Sequence, residues 1–476
     1  MKPENRFVWV YGLLGTLALI FVPVYIFWPQ AEAPRDDPWA NVPVRSSYTD
    51  HTYLLEGPFE TGPEVTAACL ECHEDAAHEV GQTAHWNWVG DPVEIEGQDA
   101  PIAIGKANLI NNFCIGVQSN WEGCTACHAG YGWDSADYDF SDTGNIDCLV
   151  CHDGSGTYTK GTAGLPLEGV DLAAVAQSVG VPTRENCGTC HFNGGGGNAV
   201  KHGDLDSSLF FPSEDVDVHM GRLDFLCIDC HQTEDHEISG RSISVSVDNE
   251  NQIACTDCHS ETLHDDERIN AHVDTVACQS CHVPESAVRE ATKMVWDWST
   301  AGQDLPEDPH EYLKIKGSFI YESNFTPEYL WFNGTAQRYL FGDPLDESGI
   351  TPINLPNGAI NDAAAKIWPF KVHYAKQPSD LVYNYLLQPQ TVGEGGYWDE
   401  FDWDLALQLG AEATGLPYSG SYGFAETSMY WPQTHMVAPS ENALLCTDCH
   451  GEFGRMDWAA LGYPGDPLTW GGREDE

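Results

Sequence analysis

The chain has 476 residues, with 73 Asp and Glu against 21 Lys and Arg, a formal net charge of -52 and 17 cysteines. Such an acid excess excludes nucleic acid as a partner, because that binding rests on Lys and Arg neutralising phosphates. It fits either a surface adapted to a salty medium or a docking field for a cationic partner, and the spread of acidic residues along the chain favours the solvated surface.

Taken from the start, Lys2 and Arg6 precede an apolar run at 7–28, about the roughly 20 residues that cross a bilayer. With Asp36 and Asp37 on the far side, the positive-inside rule puts the bulk of the chain in the periplasm or on another extracytoplasmic face. Ala31-Glu32-Ala33 offers a signal-peptidase site, but the length of the run and the interfacial Trp28 favour an uncleaved membrane anchor. Residues 29–60, with Pro29, Pro34, Pro38, Pro43 and Pro58, read as an extended tether or arm.

Beyond the tether the chain spells Cys-X-X-Cys-His eight times. The sets are Cys69/Cys72/His73, Cys124/Cys127/His128, Cys148/Cys151/His152, Cys187/Cys190/His191, Cys227/Cys230/His231, Cys255/Cys258/His259, Cys278/Cys281/His282 and Cys446/Cys449/His450. Each is a c-type haem attachment signal, in which two thiols bond the porphyrin and the adjoining imidazole reaches the iron. A zinc half-site does not explain eight copies with the His always in the same place. Eight covalently bound haem c groups are expected, and sixteen of the 17 cysteines are used. Cys114 is left over, with no pairs for a disulfide framework. So many carboxylates leave a calcium site open, but no loop carries the EF-hand pattern.

Seven motifs fall within 61–283, so the fold class expected is a multihaem cytochrome c fold, mainly α and irregular, with a haem-packed core and little regular strand. Helices are predicted at Glu74–His85, Asp171–Ser178 and Pro284–Trp298. A haem-free mixed insertion at 284–440 packs on that core, with short strands such as Tyr312–Tyr321 and a helix at Asp404–Glu412. Residues 441–476 hold the eighth motif and an acidic tail.

Eight irons have sixteen axial positions, and the motif histidines fill eight. Neutral imidazole is the usual second ligand of a haem that only carries electrons. Neighbourhood to the motifs selects His85, His202, His219, His236, His264, His272 and His435 as distal ligands. His78 shares a helical face with His85 and is the weaker choice. His51, His310 and His373 lie far from motifs in sequence and read as structural or surface residues. Seven distal histidines for eight haems leave one iron for a substrate.

Three stretches carry a family resemblance: Gly105 to Ile115 running into Cys124-Thr-Ala-Cys-His-Ala-Gly-Tyr-Gly-Trp133, Asn145 to Asp153, and Cys187 to Asp204 with its four consecutive glycines. With the long gap before the last motif, the chain resembles the octahaem tetrathionate reductases. The resemblance implies a catalytic haem at Cys124/Cys127/His128, with Lys201 as its distal ligand and the thiol of Cys114 nearby. A lysine holds iron only as the neutral amine, which needs a pKa lowered by burial and by the metal. Lys106 and Lys160 are candidate cations for drawing in an anionic substrate.

The expected activity is reduction of tetrathionate to two thiosulfates, with bis-histidine haems feeding the lysine-ligated one. Conversion of nitrite or hydroxylamine is a second enzymatic reading, and a pure electron conduit is a third. Expected partners are a small anionic substrate, the membrane through the N-terminal segment, and an electron donor such as a quinol dehydrogenase or a smaller cytochrome. The family adds a homo-oligomer formed partly through the N-terminal arm.

Overall fold

The structure is a computed structural model that describes residues 8–27, 49–95, 99–110, 115–347 and 349–473. It divides into two units, Met1–Val44 and Arg45–Glu476. In the first, Val8–Phe27 forms a helix whose described side chains cover only 10–17, 19 and 21. Among the described residues no helix is long and apolar enough to cross a membrane. The anchor expected at 7–28, and the membrane-face location argued from it, are corrected on that ground.

Most of the expected tether lies outside the described residues, and its end is folded into the second unit. The amides of Leu54 and Leu55 donate to the His51 carbonyl. Leu55 is then buried with Val65, Leu149, Leu172 and Val175. Apolar burial on one side of this turn thus makes 51–55 part of the globule.

The attachment motifs fold as single helical turns, such as Cys227–Cys230, Cys278–His282 and Cys446–Cys449. One turn is the geometry that brings i, i+3 and i+4 to one side, so both thiols and the imidazole share a face. Where the motif reads Cys-X-Asp-Cys-His, the Asp caps its own turn: Asp229, Asp257 and Asp448 accept from the amides of Leu226, Ala254 and Leu445 at 2.7, 2.9 and 2.7 Å. The helix predicted at 171–178 spans Leu172–Gln177, with Asp171 accepting from the Ala174 amide. That predicted at 74–85 shortens to Ala76–Val80, because Thr83 and Asn87 side chains take the carbonyls of Val80 and Gly81.

The segment 284–440 is dominated by an eight-stranded sheet, more strand than the mainly α expectation allowed. Its spine is the fifteen-residue strand Lys366–Asp380. Tyr422–Pro432 pairs antiparallel along one edge, from Phe370↔Pro432 to Asp380↔Tyr422. On the other edge Glu328–Phe332 pairs antiparallel and Thr292–Asp297 parallel, the latter in register Tyr374↔Val295. The helix predicted at 284–298 is therefore corrected to this strand: Thr-Lys-Met-Val-Trp is rich in β-branched and aromatic residues, and Gly317–Glu322 closes its far side. The helix predicted at 404–412 is present as Trp403–Thr414, capped by Asp402.

Phe370, Lys371, Val372 and His373 are all buried, so both faces of the spine are covered. A core of Trp296, Trp298, Trp403, Leu407, Met429 and Trp431 packs around it. The sheet also meets the haem-motif region directly: Ala277 donates its amide, and Ser280 its hydroxyl, to the Ile367 carbonyl.

Candidate haem sites and the lysine-bearing loop

None of the sixteen motif cysteines is in a disulfide, and seven of the eight motif histidines face a second imidazole. The pairs, by ring-centroid separation, are His73–His51 at 6.4 Å, His152–His236 at 6.5 Å, His191–His85 at 6.1 Å and His231–His435 at 6.2 Å. The other three are His259–His219 at 6.0 Å, His282–His264 at 6.1 Å and His450–His272 at 6.3 Å. An imidazole nitrogen lies about 2 Å from a metal it binds and roughly 1 Å ahead of its ring centre, so two rings across one metal sit about 6 Å apart. The donor set therefore fits haem iron at seven places.

Six of the seven histidines selected from sequence sit in these pairs. His202 does not: its ring lies edge-on to Trp431 at 4.7 Å. His202 as a distal ligand is corrected to His51, which the folded end of the tether brings to His73. Its signal in the sequence was weak, since His51 precedes its motif in a segment that looks like a linker. His78 is exposed, His310 packs on Tyr321, and His373 is buried in the sheet.

Several of these rings have their other nitrogen fixed. His450 meets Asp466 at 2.6 Å and His236 meets Glu79 at 2.7 Å. His152, His231 and His272 sit on the carbonyls of Gly180, Ser239 and Arg268. Such contacts orient an imidazole and choose the nitrogen offered to a metal.

The thiols also order the motifs in space. Cys69 lies beside Cys148, Cys127 beside Cys190, Cys187 beside Cys227, and Cys255 beside Cys278. Cys151 lies within electrostatic reach of Cys187, Cys230 of Cys258, and Cys281 of Cys446. The first, third and following motifs thus form a continuous row, and the second joins it at the fourth.

Cys72 is one of four exposed attachment cysteines, with Cys127, Cys230 and Cys446. Its side chain is exposed, whereas Cys69 of the same motif turns inward to Cys148. Cys72 lies just beyond the helix Gly62–Leu70. There the Cys72 amide donates to the Cys69 carbonyl at 3.1 Å, in a turn that keeps the two thiols three residues apart on one side.

His128 is the exception among the motif histidines. Its Nε2 meets the Trp86 carbonyl at 2.7 Å, and its ring is boxed by Trp86, Trp133, Tyr138 and Phe140 with centroids 4.8 to 5.8 Å away. Burial pulls its pKa down to about 4. Among the described residues no second imidazole faces His128, and its ring is held in this aromatic box on the Trp86 carbonyl.

Lys201 lies opposite in character. Its amine is 5.9 Å from the Trp431 ring centre and feels both Cys124 and Cys127. Burial, with Lys106 adding to it, lowers its pKa to about 7. Lys106 is exposed, while Arg338 is buried and in electrostatic reach of Lys201. Lys160 is not a substrate cation: its amine pairs with the buried Asp147 at 2.8 Å, which also accepts from Tyr131 and Tyr158 at 2.7 and 2.9 Å. Cys114 lies outside the described residues. Among the described residues no group of three or more His, Cys, Asp or Glu side chains is arranged to hold a separate metal ion, so nothing supports calcium.

A solved octahaem cytochrome c from Shewanella oneidensis is 48% identical, with a TM-score of 0.83 over 89% of this chain and 98% of its own. The bacterial cytochrome c family model matches residues 293–453, the sheet and the last motif. An uncharacterised Archaeoglobus fulgidus protein is 25% identical over 41% of this chain and 82% of its length. Fold, motifs and likeness define a multihaem c-type cytochrome with eight covalently held haem c groups. The chain belongs to the octahaem cytochromes c. As such it exchanges electrons with partner redox proteins.

Proposed function

We propose that the chain reduces a small sulfur oxyanion, tetrathionate, to two thiosulfates at the haem attached through Cys124 and Cys127. The observation that carries the reading is the inequality of the eight motifs: seven histidines face a second imidazole and His128 is held on the Trp86 carbonyl. His128 and the amine of Lys201 would hold that haem, and the lysine is the weaker ligand, the one a substrate would replace. When bound, the haems supply storage and delivery of electrons.

The work of the polypeptide is positioning and charge. In a chain of net charge -52, Lys106 and Arg338 both lie in electrostatic reach of Lys201, and their charges offset the repulsion an anion meets on approach. The aromatic box of Trp86, Trp133, Tyr138 and Phe140 keeps His128 in place and water away from it. Two electrons added to the central S–S bond give two thiosulfate anions with no net proton, so no general acid is required of these residues.

Turnover of tetrathionate, nitrite and hydroxylamine on one preparation tests this, with Lys201→Ala beside the intact protein. Tetrathionate should be the preferred substrate, and the variant should lose about 10²-fold or more. Full tetrathionate turnover by Lys201→Ala, or a preference for nitrite or hydroxylamine, overturns the reading.

A further inference from the structure

The loop that carries Lys201 follows a run of four glycines, three of which, Gly195, Gly196 and Gly197, have positive φ, as does Ala199. It has neither a helix nor a ladder of its own to fix it. Two buried side chains of the sheet hold it instead. Lys371 is 0% exposed, and its Nζ donates to the carbonyls of Val200 and Lys201 at 3.1 and 2.9 Å and to Thr292 Oγ1 at 2.5 Å. Thr292 Oγ1 in turn lies 2.7 Å from the Ala199 carbonyl and 2.8 Å from that of His202. The four consecutive carbonyls from 199 to 202 are thus tied to two side chains.

The register explains why these two residues meet. Thr292–Asp297 runs parallel to Lys366–Asp380 with Tyr374 opposite Val295, and ahead of that pairing Lys371 and Thr292 meet from the two adjacent strands. A buried ammonium costs several kcal/mol unless its protons are satisfied, and here its three protons find three acceptors. A methionine would fill the same space without that cost, so the lysine is kept for what it holds.

We infer that Lys371, with Thr292, is the positioning device that sets the Lys201 amine against the haem attached at Cys124 and Cys127. This rests on Lys201 being the axial ligand of that haem. Neither residue touches substrate; both act through the backbone of the loop.

The test compares haem-loaded Lys371→Met, Lys371→Arg and Thr292→Val with Lys201→Met and the intact protein. The readouts are near-infrared magnetic circular dichroism of the oxidised protein and a redox titration. Lys371→Met and Thr292→Val should keep the seven bis-imidazole signals and lose the lysine signal from most molecules, with a shifted potential for that haem. Lys371→Arg, which keeps the donors, should restore part of it. A folded Lys371→Met with an unchanged lysine signal and potential overturns the inference. Where Lys371→Met does not fold, the same result in Thr292→Val overturns it. If Lys201→Met itself leaves the signal in place, the ligand reading is at fault and the inference falls with it.

Discussion

His51 and His73 stand with ring centroids 6.4 Å apart and planes 29° from parallel, the spacing of two imidazoles across one metal. A residue that looked like part of a linker thereby completes the first haem site. His51→Ala should open one haem of eight, seen as a high-spin component that added imidazole removes. His202→Ala should leave the count of bis-imidazole haems unchanged. A high-spin haem in His202→Ala and none in His51→Ala would reverse the assignment.

Asp147 is the carboxylate bonded to the Lys160 amine, and both side chains are buried, at 0% and 6% exposure. It also accepts from Tyr131, Tyr158 and the Val150 amide. Asp147→Ala should cost about 3–5 kcal/mol, since it strands a buried ammonium. Denaturant unfolding of the haem-loaded protein checks this. A loss below about 1 kcal/mol would mean that the pair is solvated.

Asp466 accepts from His450 at 2.6 Å, lending the ring negative character that favours oxidised iron. Asp466→Asn should raise the potential of the haem attached at Cys446 and Cys449 by roughly 60 mV, the equivalent of about 1.4 kcal/mol for one electron. A redox titration resolving that haem measures the shift, and a fall in potential would contradict the account.

Lys293 is buried between rings, its amine 3.8 and 3.6 Å from the centres of Trp296 and Phe319. Burial, with Lys316 and Lys371 adding to it, lowers its pKa to about 6. The rings favour the ammonium by about 2 kcal/mol, less than the several kcal/mol that desolvation costs it, so the depressed value stands. Between pH about 6 and about 10.4 the unfolded chain binds more protons here than the folded one, so stability rises with pH across that window. Lys293→Met should flatten this component of unfolding free energy measured from pH 6 to 10. An unchanged slope would show that Lys293 is charged in the fold.

The motifs were legible because haem attachment is a local, spelled chemistry, and six distal histidines were legible because they lie near motifs in sequence. His51 was not, since what carries it to His73 is the burial of Leu55 against Leu149 and Val175, a tertiary contact. Nor was the contact of His128 with the Trp86 carbonyl, 42 residues away. The stretch 284–298 read as a helix because its periodicity is ambiguous over so short a run. Pairing with Lys366–Asp380 decided for strand. Lys160 looked like a free cation because nothing local shows that Asp147 will be buried beside it.

The central claim is that one of eight chemically identical attachment motifs serves a different site. Magnetic circular dichroism of the oxidised protein, with and without an added ligand such as cyanide, counts the axial ligands most directly. The account predicts seven bis-imidazole haems and one with a lysine-type signature that alone changes on ligand addition. Eight bis-imidazole haems and no ligand binding would contradict it and leave an electron conduit.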